Sequence, residues 1–148
     1  MSTLTGLTTM VLTADDVAAA ADWYADVLGI SPYFLQPPEG EPAYIEFRIG
    51  PDEDELGIMS RVFAPEGTAP GSSSVTYWHV DDVDATLDDL VSRGASVHSP
   101  VTPRGEEFVT ASVIDPFGNV LGLMRSPPLG RAALRARGLR TRCPAKVP

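Results

Sequence analysis

The chain has 148 residues, 43% of them hydrophobic and 21% charged, a composition that suits one globular domain. No run approaches the ~18 apolar residues of a membrane span, the N-terminus has neither the basic start nor the apolar block of a secretory signal, and the single cysteine, Cys143, has no internal disulfide partner. A cytoplasmic protein without a membrane partner is the expectation. The net charge of −9 hides an asymmetry: residues 1–124 hold all twenty acids against four arginines, a net −16, while residues 125–148 carry +7 from six arginines and Lys146. So acidic a body excludes a nucleic-acid partner, which needs a basic face to neutralise phosphates.

In chain order, residues 7–13 are β-branched and apolar and predict a strand. Asp15 or Asp16 then caps a helix whose stripe is Val17, Ala20, Ala21, Tyr24 and Leu28, with Gly29 as its stop. Strands are predicted over 31–35, 43–49 and 56–62, with a Pro/Gly-rich turn at 36–42 and an acidic turn at 51–55. Residues 63–73 are loop by composition.

The pattern then restarts. A strand over 75–80 is followed by a cap at Asp81 or Asp82 and a helix with Val83, Leu87, Leu90 and Val91 on one face, ended by Arg93 and Gly94. Strands follow over 96–98, 108–114 and 119–125, the last two joined by Asp115-Pro116-Phe117-Gly118. There Pro116 sets φ for a type I turn, Asp115 bonds back to the turn amides and Gly118 takes the left-handed position.

Two matches expose a repeat: Asp16-Val17 with Asp82-Val83 at an offset of 66, and Leu56-Gly57-Ile58-Met59 with Leu121-Gly122-Leu123-Met124 at an offset of 65. The fold class is α+β, with two tandem βαβββ modules over about 5–62 and 74–125. These form one domain over 1–125, followed by a basic tail over 126–148. One helix covers one sheet face in each module, so the other face is free for another use.

Asp16-Val17, Trp23-Tyr24, Leu28-Gly29, the run from Val80 to Ala85 and the Asp115-Pro116-Phe117-Gly118-Asn119 hairpin together resemble the vicinal oxygen chelate superfamily, which contains glyoxalase I, extradiol dioxygenases, fosfomycin-resistance thiol transferases and bleomycin-binding proteins. The resemblance implies that the mixed sheets curl into a cup, often completed across a homodimer, with a small molecule in the concavity. It also places the metal-ligand positions of metal-using members at Thr9, Gly57, Val75 and Gly122. None of these side chains suits a transition metal, which needs three or more converging N, O or S donors. No metal and no cofactor is therefore expected, and the two glycines are expected to widen the cup floor.

Period-2 alternation puts Val75, Tyr77 and His79 on the cup face and Thr76, Trp78 and Val80 under the helix. Met59, Arg61 and Met124 share that face with Gly57 and Gly122, the methionines as a soft apolar lining. His79 is either a strand-end histidine beside a carboxylate or a ligand donor and general base, and it is the candidate catalytic residue. Arg61 holds an anionic or carbonyl ligand group, or pairs with an acid at the rim. His98, before Ser99-Pro100, is expected in an exposed turn. Acids at the helix starts are explained by capping and the helix dipole, and Trp23 and Tyr24 by packing. The tail is either a solvated extension or a segment docked on the acidic body.

The functional expectation is a metal-independent protein that binds a small organic molecule, sequestering a drug or metabolite. The alternative is a metal-independent lyase, isomerase or hydrolase-type enzyme acting on a small carbonyl or epoxide compound.

Overall fold

A computed structural model describes residues 8–64, 75–105 and 108–125 of the chain. The first module runs β1 (Thr9–Ala14), α1 (Val17–Leu28), β2 (Phe34–Gln36), β3 (Tyr44–Ile49) and β4 (Asp54–Ser60). The second runs β5 (Thr76–His79), α2 (Val83–Ser92), β6 (Ser96–Gly105), β7 (Phe108–Ile114) and β8 (Val120–Arg125). Each module is a four-stranded mixed sheet, in the orders β1-β4-β3-β2 and β5-β8-β7-β6, with the first strand parallel to the last. The basic tail, with Cys143, and most of the predicted 63–73 loop lie outside the described residues.

Both helices start on the second of two aspartates. Asp16 Oδ1 accepts from the Ala19 amide at 2.8 Å, and Asp82 Oδ1 from the Ala85 amide at 3.0 Å. Each bond satisfies one of the donors that a helix start leaves open. Gly29 ends α1 in the left-handed conformation at φ 67°. Val17, Ala20 and Tyr24 of α1 and Val83, Leu87 and Leu90 of α2 are buried in one continuous core with Ile45, Phe47, Leu56, Ile58, Val113, Leu121 and Leu123.

The sheets meet along β1 and β5, where Thr76 Oγ1 touches Met10 Sδ. Positions 10 and 76 are equivalents of the repeat, at its offset of 66. The second module's turn locks against the first module's β1. Asn119 accepts from the Thr13 amide at 3.2 Å and donates to the Thr13 carbonyl at 3.0 Å, so one side chain acts as a rung of backbone pairing.

The largest changes to the predicted boundaries fall in three strands. The second strand is the short β2, beginning at Phe34, and the fourth ends at Ser60, so that Arg61–Phe63 form a 3-10 turn rather than the end of a strand. The predicted 96–98 strand continues to Gly105 through Pro100 and Pro103. It is the outer strand of its sheet, where a residue without an N–H loses nothing on the open side, and its pairing with β7 is irregular between Val97 and Gly105.

Candidate functional site

The face of each sheet away from the helix is set by register. In the first sheet, one row across the strands is Phe34, Glu46, Gly57 and Val11; its neighbours are Tyr44 with Met59 and Thr13, and Arg48 with Glu55 and Thr9. In the second sheet, one row is Tyr77, Gly122 and Ser112, and the next is His79, Met124 and Thr110. The alternation therefore places Thr9, Gly57, Met59, Tyr77, His79, Gly122 and Met124 on open faces. Trp78 and Val80 pack against the core on the other side.

Neither glycine leaves room on this floor. A Cβ at Gly57 would meet Tyr44 Oη at 2.5 Å, and one at Gly122 would meet Tyr77 Cδ1 at 2.5 Å. The expected widening of the cup is thus corrected: both modules use the space over the last-strand glycine to lay down a tyrosine ring. The residues do not fit a metal of the kind that the resemblance implies. Val75 and the glycines offer no side-chain donor, and Thr9 Oγ1 donates its proton to Glu55 Oε2 at 2.8 Å. Among the described residues no group of three or more His, Cys, Asp or Glu side chains converges on one point.

Arg61 is not a ligand donor on the cup floor. From the 3-10 turn its Nε reaches Asp15 Oδ1 at 3.0 Å, one terminal nitrogen reaches Thr13 Oγ1 at 2.9 Å and the other the Phe117 carbonyl at 2.8 Å. Each of the three guanidinium nitrogens thereby makes a bond that ties the end of β1 and the Asp115–Gly118 turn together. His79 stands at the rim, its side chain 66% exposed, with Nε2 3.8 Å from Asp81 Oδ1. Val75 and Tyr77 beside it are also exposed.

The open face of the first sheet carries a network that sequence reasoning missed. Tyr33 Oη donates to Glu46 Oε2 at 2.5 Å and lies 3.2 Å from Glu55 Oε1; Tyr44 Oη donates to Glu46 Oε1 at 2.5 Å. The Arg48 guanidinium stacks 4.2 Å over the Tyr33 ring, and Phe34 packs edge-on against Tyr44. The bond to Glu46 is the main cause that pushes the Tyr33 phenol up to about 12, while burial and then Glu46 raise that of Tyr44 further. The available signal was period 2 in β3: Tyr44, Glu46 and Arg48 alternate with the buried Ile45 and Phe47.

On the second sheet His98 is exposed as expected, but it is not in a turn. It lies in β6, at the irregularity between Val97 and Ser99, and its Nδ1 is 2.9 Å from Oγ of the buried Ser112. Arg104 Nε donates to Thr110 Oγ1 at 3.1 Å beside it. A shallow cleft of about 390 Å³ also opens at the start of α1, lined by Asp15, Asp16, Glu41 and Ser60. Its aspartates are already engaged, Asp16 as the cap and Asp15 with Arg61.

Paired βαβββ modules with both helices on one side and an aromatic, partly polar open face define a class of small α+β proteins that present a curved sheet surface. The chain belongs to the Glyoxalase/Bleomycin resistance protein/Dioxygenase superfamily, whose family model matches residues 6–123. In fold it is similar to a glyoxalase-related enzyme from Fulvimarina pelagi, at 20% identity and a TM-score of 0.68 over 86% of this chain and 94% of that one. It is also similar to a superfamily member from Sphaerobacter thermophilus DSM 20745 (18%, TM-score 0.66, 83% and 98%) and to TioX from Micromonospora sp. ML1 (18%, TM-score 0.61, 82% and 98%). Human Multicilin matches at 28% identity over 124 residues, 78% of this chain, and the chain spans 30% of that curated relative's length. No described helix is long and apolar enough to cross a membrane.

Proposed function

We propose that the protein binds a small organic molecule on its open sheet faces without a metal, and holds it rather than transforming it. The observation that carries this reading is the pair of tyrosine rings, Tyr44 over Gly57 and Tyr77 over Gly122, at the positions where metal-using relatives are expected to carry ligands. A ring there supplies flat contact area for a planar ligand at little cost in side-chain entropy, and the surrounding Val11, Phe34 and Met124 extend the apolar part of the surface. The exposed position of His79 supports a binder as well, because a general base works best against a reacting group screened from water. A homodimer that closes the open faces against solvent is part of the same proposal.

A thermal-shift screen of small organic compounds, followed by product analysis of each hit, tests it. A compound that raises the melting temperature and is recovered unchanged is expected. Addition of Zn²⁺, Ni²⁺ or Mn²⁺ is expected to leave the melting temperature in place. Turnover of a hit by the wild-type protein overturns the binder, and loss of that turnover in His79→Gln with binding intact assigns the base to His79.

The alternative, a metal-independent enzyme, is favoured by one contact. The imidazole of His98 sits on the buried hydroxyl of Ser112, on the same face as Tyr77. In that case His98→Gln removes activity while His79→Gln does not.

A further inference from the structure

We propose that the open face of the first sheet selects a cationic, amine-bearing aromatic ligand, whose ammonium group pairs with Glu46. The inference rests on the reading of the open face as a binding surface, and adds to it the chemical class of what binds.

Three hydroxyls, those of Thr9, Tyr33 and Tyr44, point their single protons into two carboxylates, Glu46 and Glu55. A hydroxyl that has donated offers only lone pairs to a newcomer, and an ionised carboxylate offers nothing else. These five side chains therefore present acceptors outward, and a ligand must bring the donors.

Charge points the same way. Glu55 has a cationic neighbour, Arg48, with Nε 4.0 Å from Oε1. Glu46, among the described residues, has no cationic group within ion-pair distance, and its two oxygens accept from two phenols. Rings of Tyr33, Phe34 and Tyr44 surround it, and such rings attract a cation over their faces. The chain already shows this in one place, since the Arg48 guanidinium lies 4.2 Å over Tyr33. That contact is independent of the hydrogen bonds and involves the kind of group inferred for the ligand.

The one guanidinium on this face, Arg48, already lies against Glu55 and the Tyr33 ring, and the other donors that would hold an anion are elsewhere. Arg104 and His98 belong to β6, at the outer edge of the second sheet, while Glu46 lies on β3 near the outer edge of the first. Both spend a ring or guanidinium nitrogen on hydroxyls of their own sheet. Carboxylate, phosphate and phosphonate compounds are thus disfavoured on the first sheet.

Titration calorimetry on the full chain at neutral pH, with three matched probes, tests the inference: 2-naphthylmethylammonium, 2-naphthylmethanol and 2-naphthoate. The ammonium compound is expected to bind about five- to tenfold more tightly than the alcohol, and the carboxylate more weakly than either. Glu46→Gln is expected to abolish the preference for the ammonium compound over the alcohol. Because Glu46 anchors two phenols, the same preference is also read on the wild type as a loss of ammonium affinity, but not alcohol affinity, from low to high salt. Equal affinities for the three probes, a preference that survives Glu46→Gln, or one indifferent to salt overturns the cationic class while leaving the open face as a binding surface. Binding of none of the three also overturns it, and the wider reading then stands or falls on the thermal-shift screen alone.

Discussion

The phenol of Tyr24, in the middle of α1, donates to Asp115 Oδ2 at 2.6 Å although the two residues are 91 apart in sequence and both are buried. Asp115 also accepts from the amides of Phe117 and Asn119 and from the Asn119 side chain. One carboxylate thus closes the β7–β8 turn and fastens the first module's helix to it. Burial first, and then the charge and hydrogen bond of Asp115, push the Tyr24 phenol far above its ordinary range, so the proton stays on the donor. Tyr24→Phe is expected to cost about 1.5–3 kcal/mol, as for a hydrogen bond to a charged group. Asp115→Ala, which strands two turn amides and the phenol, should cost at least about 3 kcal/mol. Urea denaturation of both variants checks the order, and equal costs would refute the hub role of Asp115.

Arg61 ties three groups from two modules. Arg61→Ala is expected to lower stability by about 1–3 kcal/mol, chiefly by leaving the Phe117 carbonyl and Thr13 hydroxyl unpaired. Arg61→Lys should recover only part, since an ammonium lacks the planar spread of donors. Ligand affinity, once a ligand is known, is expected to be unchanged in the lysine variant. A loss of affinity without a loss of stability would return Arg61 to the site.

Gly122 is required for steric reasons, because the Tyr77 ring occupies the place of its Cβ. Gly122→Ala is expected to cost about 1–3 kcal/mol, the usual range for overpacking. The cost should largely disappear when the alanine is introduced together with Tyr77→Ala. A double-mutant cycle measures this, and additive effects would show that the ring is not what the alanine meets.

Tyr33 has its phenol raised to about 12, first by its bond to Glu46. The folded pKa lies above the unfolded value of 10.0, so the stability this group contributes is complete below pH 10 and is lost as pH rises through about 12. In an ultraviolet alkaline titration, Tyr33 should ionise nearer 12 than 10, and Glu46→Gln should move it back toward 10. An unmoved titration in the variant would dismiss Glu46 as the cause.

The register of α2 is tested by two substitutions one turn apart. Leu87 is buried, and Leu87→Ala is expected to cost about 2–5 kcal/mol. Asp84 is exposed in the first turn, and Asp84→Ala should be nearly neutral by comparison. Thermal melts showing two equal shifts would contradict the packing.

The sequence by itself determined the elements and their repetition, because these depend on neighbours along the chain. Caps at Asp16 and Asp82, the left-handed Gly29 and the Asp115–Gly118 turn follow from local backbone chemistry. The two buried helix stripes follow from a period of 3.6, except that Val91, expected on the buried face of α2, is exposed, and the open-face assignment of Gly57, Met59, Tyr77, Gly122 and Met124 follows from a period of 2.

What only the tertiary structure decided is where long side chains end. Arg61 and His98 lie where a one-residue change in strand length or register redirects the side chain. Arg61 turns off β4 into a clamp, and His98 meets Ser112 across an irregular edge. The tyrosines over the glycines and the Tyr33–Glu46–Tyr44 network join residues from different strands. No spacing along the chain encodes those meetings, because they depend on how far each strand is shifted against its neighbour.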